Sequence, residues 1–349
     1  MNFSNSLHNS NSMYMETHFC YKSVNGSCEK LAHSLSLQFS MLAFMGLAIV
    51  ITMSGNFLVI TVISHFKQLH TSTNSLILSL AVCDFLLGAL VMPCSAMRSV
   101  QGCWFLGELA CKLHTSMDIM LSTSSIFHLS FISVERYIAV CTPLQYQSMI
   151  NSVTTLFMVV TSWLIPAIFA FGMIFSELNL KGSEDFYETN VYCHGGCPVF
   201  FSQASAAFSS ILAFFIPGLI MFGIYIKIYK VARSHTRSIK QQAQQLKVED
   251  ENGSRLSRQR ERKGTIILAI VVGVFLICWT PFFLCTITDP FVGYTIPPTL
   301  VDALVWFGYM NSSFNPLIYA FFYSWFRRAL RIIVSGRIFY RDSCRMKLV

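Results

Sequence analysis

The chain has 349 residues, of which 54% are hydrophobic and only 12% charged, with a formal net charge of +8. Soluble domains carry about 25% charged residues, so this composition excludes a soluble globular protein. The apolar residues fall in blocks of the length a helix needs to cross a bilayer, about 20 residues, which identifies an integral membrane protein.

Residues 1–38 are polar and rich in Ser and Asn, and they read as an extracellular N-terminal segment. No basic stretch followed by an apolar core marks a secretory signal, so the first span is expected to serve as its own targeting signal. Sequons at Asn2 and Asn25 lie on the expected outer side and are candidate glycosylation sites. Seven apolar segments follow, at 39–63, 75–97, 109–140, 153–175, 201–229, 265–287 and 300–323. They predict an all-α membrane protein: a seven-transmembrane helix bundle over 39–323, then a short amphipathic eighth helix and tail over 324–349. Pro93, Pro166, Pro217, Pro281 and Pro316 fall inside spans, where each is a ready kink.

Loop charge sets the orientation. With the N-terminus outside, 20 of the 25 Lys and Arg residues are cytoplasmic, among them Lys67, Arg136, eleven over 227–263 and seven from Arg327 onward. The outer side keeps five. The bias predicts an extracellular N-terminus and a cytoplasmic C-terminus. The basic, Gln-rich segment 230–264 forms cytoplasmic loop 3, extending two helices. Residues 324–335 set Trp325, Phe326, Leu330, Ile332 and Ile333 against Arg327, Arg328 and Arg331, a helix suited to membrane lipid at the inner leaflet.

Six cysteines are predicted to be extracellular: Cys20, Cys28, Cys103, Cys111, Cys193 and Cys197. An even number in an oxidising space suggests three disulfides, and the spacing leaves the pairing open.

Charged groups within a membrane are costly and mark function. Asp84 and Asp118 are two such groups, and neither span holds a Lys or Arg at similar depth. Asp118 lies near the outer mouth, where it can meet an organic cation. Asp84 lies mid-span, with Asn56, Ser125, Asn311 and Asn315 as candidate oxygen-bearing neighbours. Oxygen ligands suit a small hard cation, so an allosteric Na⁺ is expected there. Asp118, Ser122 and Ser125 share one helix face, and Arg136 follows Asp118 by 18 residues, five turns and about 27 Å inward on that face. Arg136 adjoins Glu135. In the sixth span Glu261 precedes Trp279 by the same 18 residues, placing it to pair with Arg136. Trp279, Phe282 and Phe283 form an aromatic stripe around Pro281, and Trp306 and Tyr309 add two rings in the seventh span. Aromatic faces attract ammonium groups. A carboxylate at one end and an aromatic slot at the other describe a pocket for an aryl-alkyl amine.

The chain also carries Gly55-Asn56, Leu80-Ala81-Val82-Cys83-Asp84, Glu135-Arg136-Tyr137, Trp163, Pro217, Cys278-Trp279-Thr280-Pro281 and Asn315-Pro316-Leu317-Ile318-Tyr319. This joint pattern resembles the rhodopsin-like (class A) G-protein-coupled receptors, and Asp118, seven residues after Cys111, resembles their aminergic branch. Residues 64–71, 118–132, 193–197, 296–300 and 306–323 are similar to the trace amine-associated receptors, most closely those of type 1.

The resemblance implies a plasma-membrane receptor for phenethylamine- or tyramine-like amines. It further implies activation of a heterotrimeric G protein, through a stimulatory α subunit that raises cyclic AMP. By position it implies that Asp118 pairs the amine, Tyr309 supports it and Ser122 lies alongside. Val199 and Phe201 would cap the site, and Ser209 would meet a ring hydroxyl. Ala213, one turn deeper, stands where many catecholamine receptors have Ser, which favours less hydroxylated amines. The resemblance selects a Cys111–Cys197 disulfide and suggests Cys20–Cys193 and Cys28–Cys103. It implies a switch built from Glu135, Arg136, Tyr225, Glu261 and Tyr319, with Pro281 as hinge. Neither an enzyme motif, a nucleic-acid partner nor a resident cofactor beyond Na⁺ is implied. Serotonin- or octopamine-like and chemosensory amine receptors are the nearest alternatives. A transporter is disfavoured by the lack of internal repeats.

Overall fold

Capping side chains set where the helices begin. α1 (Leu35–His65) starts after Ser34, whose hydroxyl accepts from the Leu37 amide at 3.4 Å. α2 (Ser72–Gln101) starts after Thr71, whose hydroxyl accepts from the Asn74 amide at 3.3 Å. It stops at Gly102, which is left-handed (φ 67°), and a Cβ there would lie 2.7 Å from Leu31 Cγ. α3 spans Glu108–Cys141. Asn151 caps α4 (Ser152–Phe175), its side chain accepting from the Thr154 amide at 2.9 Å. α5 (203–245) follows Ser202, whose hydroxyl accepts from the Ser205 amide at 3.4 Å. α6 is Asn252–Thr288, α7 is Pro298–Phe322 and α8 is Ser324–Val334. The computed structural model describes residues 19–31, 34–245, 252–340 and 342–348.

Two of the predicted proline kinks take a specific form. α2 widens into a π turn at Leu87–Val91 just before Pro93, and α5 does the same at Ile211–Phe215 just before Pro217. Proline supplies no N–H to the ladder, and the wider turn absorbs the break. Pro166, Pro281 and Pro316 lie inside α4, α6 and α7.

α1 to α6 are each long and apolar enough to cross a membrane. α7 has comparable length but turns a polar stripe inward, with Asn311, Ser312, Ser313 and Asn315 all buried. The hydroxyls of Ser313 and Thr52 meet at 2.6 Å, and the Asn56 amide donates to the Ser312 carbonyl at 3.0 Å. A Cβ on Gly55 would lie 2.6 Å from Pro316 Cγ, so glycine there lets α1 approach α7 closely. Outside, Leu156, Phe157 and Ile168 of α4 and Leu219 and Phe222 of α5 are exposed. Polar groups inside and apolar groups outside is the arrangement hydrocarbon requires. α8 buries Phe326 and Ala329 and exposes Arg327, Arg328 and Arg331, the amphipathic helix expected from the sequence.

At one end of the bundle the segment 19–29 folds over the loops. The Cys20 amide donates to the Cys28 carbonyl at 2.9 Å, and the Cys28 amide to the His194 carbonyl at 3.0 Å. That second bond sets Cys28 beside Cys193, and these two form a disulfide. Cys20 is left facing the α2–α3 loop and bonds Cys103. The family resemblance suggests the exchanged pairs, Cys20–Cys193 and Cys28–Cys103, and the structure corrects them. Cys111–Cys197 joins α3 to the α4–α5 loop as expected. Gly196 makes room for the bridge, since a Cβ there would lie 2.7 Å from Cys28 Sγ. Asn25 is exposed in this segment, whereas Asn2 lies outside the described residues.

Candidate functional site

Tyr309 is the meeting point of a carboxylate and an aromatic cluster. Its hydroxyl donates to Asp118 Oδ2 at 2.7 Å, and the Ser122 hydroxyl donates to Oδ1 at 3.4 Å. Ser122 follows Asp118 by one turn of α3, so both project from one face. The Tyr309 ring lies 6.4 Å from Trp279 and 5.5 Å from Trp306, both edge-on. Trp279 in turn meets Phe282 at 5.7 Å and Phe283 at 6.0 Å, and Phe283 stacks on Phe214 of α5 at 4.4 Å. The spacing around Pro281 thus sets Trp279 against α7 and Phe283 against α5, with Phe282 packed on both rings. Asp118 is partly exposed while Tyr309 is fully buried, so the carboxylate is the reachable member of the pair and the phenol backs it.

Several neighbours of this cluster are not singled out by the sequence. The Ser95 hydroxyl lies 3.3 Å from that of Tyr309 and 3.2 Å from His114 Nε2. Gly308 permits the α6–α7 contact, because a Cβ on it would lie 2.7 Å from Cε3 and Cζ3 of Trp279. A glycine one residue before the tyrosine was the available signal. Arg98, at the end of α2, pairs with Asp302 at 3.7 Å and donates to the Cys197 carbonyl at 3.3 Å. The Trp306 indole N–H donates to Ser99 at 3.0 Å.

Other expected ligand residues have partners of their own. The Ser209 hydroxyl donates to the Ser205 carbonyl of its own helix at 2.6 Å. The Phe201 carbonyl accepts from the Tyr294 hydroxyl at 3.2 Å, and Val199 is exposed. Its neighbour Phe200 is buried and stacks on Tyr294 at 4.7 Å. Tyr294 also stacks on Phe186 at 4.8 Å, so aromatic rings link the α4–α5 and α6–α7 loops.

Asp84 is fully buried deeper in the bundle. Its Oδ1 accepts from Ser125 at 3.1 Å and Ser312 at 2.8 Å, and its Oδ2 accepts from Asn315 at 2.8 Å. Ser125 and Asn315 were expected there, whereas Ser312 was not. The polar run 311–313 in an otherwise apolar span was its signal. Asn311 makes no bond to Asp84. The side-chain oxygens of Asn56, Asn311 and Asn315 are buried without a hydrogen-bond donor. Asn315, which bonds Asp84, leaves its own side-chain oxygen unsatisfied, and a carboxylate beside such an oxygen fits a small hard cation.

At the far end of α3, Glu135 holds Arg136 with two bonds of 2.6 Å. Thr73 donates to Glu135 Oε1 at 2.9 Å and Tyr146 at 2.5 Å, and Arg136 also bonds the Thr73 hydroxyl. Thr73 and Tyr146 were not anticipated. Tyr146 lies in the α3–α4 loop, and burial pushes its phenol up to about 12, aided by its bond to Glu135. The hydroxyls of Tyr225 and Tyr319 are buried and unsatisfied. The side chain of Glu261 lies outside the described residues, so its expected pairing with Arg136 is not described.

Residues 55–319 match the profile of the 7 transmembrane receptor (rhodopsin family). The chain is 55% identical over 330 residues to trace amine-associated receptor 1 of Macaca mulatta, covering 95% of this chain and 98% of the relative. Against trace amine-associated receptor 1 of Homo sapiens the identity is 53%, covering 95% and 97%. Against trace amine-associated receptor 4 of Rattus norvegicus it is 49% over 334 residues, covering 95% and 96%.

Proposed function

The chain belongs to the rhodopsin family of seven-transmembrane receptors, a receptor and not an enzyme family, and from that premise we propose that it detects phenethylamine- or tyramine-like amines. The observation that carries this is the Asp118–Tyr309 pair at 2.7 Å, set against the rings of Trp279, Phe282, Phe283 and Trp306. A primary ammonium needs a carboxylate, and an aryl ring needs apolar walls. Among the described residues, the hydrogen bond to Asp118 Oδ1 is a long one of 3.4 Å from Ser122, which leaves this oxygen able to take the ammonium. Val199 and Phe201 cap the site from the loop. Ser209 spends its proton on its own helix and Ala213 offers none, which supports a ring with few hydroxyls.

The receptor sits in the plasma membrane with its N-terminus outside and activates a heterotrimeric G protein of the stimulatory type, raising cyclic AMP. Agonist binding shifts α6 about Pro281 only in so far as it binds the shifted state more tightly. The shift pulls apart the contacts around Arg136 and frees it from Glu135. The unsatisfied hydroxyls of Tyr225 and Tyr319 then find partners in the opened end. At Asp84, the residues Ser125, Ser312, Asn311 and Asn315 would hold an Na⁺, which would supply charge neutralisation to the resting arrangement. A cyclic AMP dose–response panel of phenethylamine, tyramine, octopamine, serotonin and alkyl amines tests the assignment. Phenethylamine and tyramine are expected to be most potent. Selective response to serotonin or octopamine would replace the ligand class, and no response to any amine would overturn the reading.

A further inference from the structure

Behind Asp118 a file of side chains reaches the disulfide-bonded end of the bundle. The Tyr309 hydroxyl lies 2.7 Å from Asp118 Oδ2 and 3.3 Å from Ser95 Oγ, which lies 3.2 Å from His114 Nε2. Tyr309 and Ser95 are 0% exposed and His114 7%, so each depends on its neighbours for hydrogen bonds. Counting protons fixes the direction of the file. An ionised carboxylate only accepts, so the one proton of Tyr309 goes to Asp118. The Tyr309 oxygen then accepts from Ser95, whose single proton is thereby used. Ser95 must accept in turn from His114, which requires the Nε2–H form of the imidazole.

The imidazole is itself held in place. It packs on Trp104 with ring centroids 5.1 Å apart. The Trp104 indole donates to the Gly107 carbonyl at 2.9 Å, and its amide donates to the Gly195 carbonyl at 2.7 Å. The preceding residue, Cys103, is bonded to Cys20. The file therefore starts on fixed backbone and ends on one oxygen of Asp118.

We propose that Ser95 and His114 are positioning residues for amine recognition, a role that rests on reading Asp118 as the ammonium site. They aim the Tyr309 hydroxyl at Oδ2, which leaves Oδ1 turned toward the ligand. Their effect passes through Tyr309, and neither needs to touch the amine.

The test is phenethylamine competition binding at matched surface expression. It compares the wild type with Ser95→Ala, His114→Leu, His114→Gln, Tyr309→Phe and the Tyr309→Phe/His114→Leu double variant. Losing one such hydrogen bond corresponds to about tenfold in affinity, which is expected for Ser95→Ala and for His114→Leu. His114→Gln keeps an N–H donor and is expected to stay within about threefold of wild type. In the Tyr309→Phe background, His114→Leu is expected to add less than about twofold, because the hydroxyl through which the file acts on Asp118 is already gone. Equal losses in His114→Gln and His114→Leu, or full multiplication of effects in the double variant, would overturn the relay. Unchanged binding in Asp118→Asn would remove the ammonium-site reading itself, and this proposal with it.

Discussion

Gly308→Ala probes the fit of α6 against α7 at a single atom. The added Cβ would lie 2.7 Å from two carbons of the Trp279 indole. Carbon pairs settle about 3.5–4.0 Å apart, so the ring or the helix must move by roughly 1 Å. The indole is poorly placed to give way. It is 5% exposed, and the rings of Phe282, Phe283 and Tyr309 stand 5.7, 6.0 and 6.4 Å from it. Overpacking of this kind costs about 1–3 kcal/mol. Alanine's better helix propensity offsets up to about 1 kcal/mol of that, so overall stability is a blunt readout. Amine potency is sharper, because Trp279 and Tyr309 both move when the contact is forced. If about 1.4 kcal/mol of the strain falls on the site, potency drops about tenfold. The assay is phenethylamine-stimulated cyclic AMP at matched surface expression, with Gly273→Ala as control. A Cβ on Gly273 meets nothing within 4 Å, so that variant is expected to behave as wild type. Wild-type potency in Gly308→Ala would refute the claimed contact.

Tyr146→Phe removes the 2.5 Å bond to Glu135 and is expected to raise basal nucleotide exchange about twofold, a loss of a few tenths of a kcal/mol from the resting state. Unaltered basal exchange would show that Tyr146 does not hold the resting state. Because burial raises the Tyr146 phenol to about 12, its contribution is full below its ordinary value of about 10 and is lost as pH rises through about 12. Basal exchange should therefore show no titration from Tyr146 between about pH 6 and 9. Asp84→Asn keeps the size of the side chain and the acceptor for Ser125 and Ser312, removes the charge, and turns an N–H₂ toward Asn315, whose amide must flip to accept it. It is expected to abolish any Na⁺ effect on amine affinity, and a retained Na⁺ effect would place the ion elsewhere. Peptide mapping without reduction is expected to recover Cys20 with Cys103 and Cys28 with Cys193, and the exchanged pairs would contradict the fold of segment 19–29.

Much of the bundle was legible because membrane helices announce themselves by length and hydrophobicity. α7 was legible despite its polar stripe, since Asn311, Ser312 and Asn315 interrupt an apolar run at helical spacing. Periodicity also placed Asp118, Ser122 and Ser125 on one face of α3, because a helix face follows from spacing alone. Contacts between helices did not follow from spacing. Ser95 and His114 are separated by a loop, and only the packing of α2 against α3 brings them to Tyr309. The disulfide partners of Cys20 and Cys28 depended on backbone bonds between segment 19–29 and His194, which no residue type signals. Sequence adjacency sets Glu135 beside Arg136, but that Thr73 of α2 bonds both side chains depends on the packing of α2 against α3.

Amine recognition by this receptor rests on Asp118 taking the charge of the ammonium. Purified receptor with Asp118→Asn, a neutral side chain of nearly the same shape, isolates that charge. The measurement is phenethylamine-stimulated GDP–GTP exchange on a purified stimulatory G protein, against wild type at equal folded concentration. Breaking a buried charge pair costs about 2–5 kcal/mol, so the half-maximal concentration is expected to rise by at least about 30-fold. A half-maximal concentration within about threefold of wild type would contradict the account.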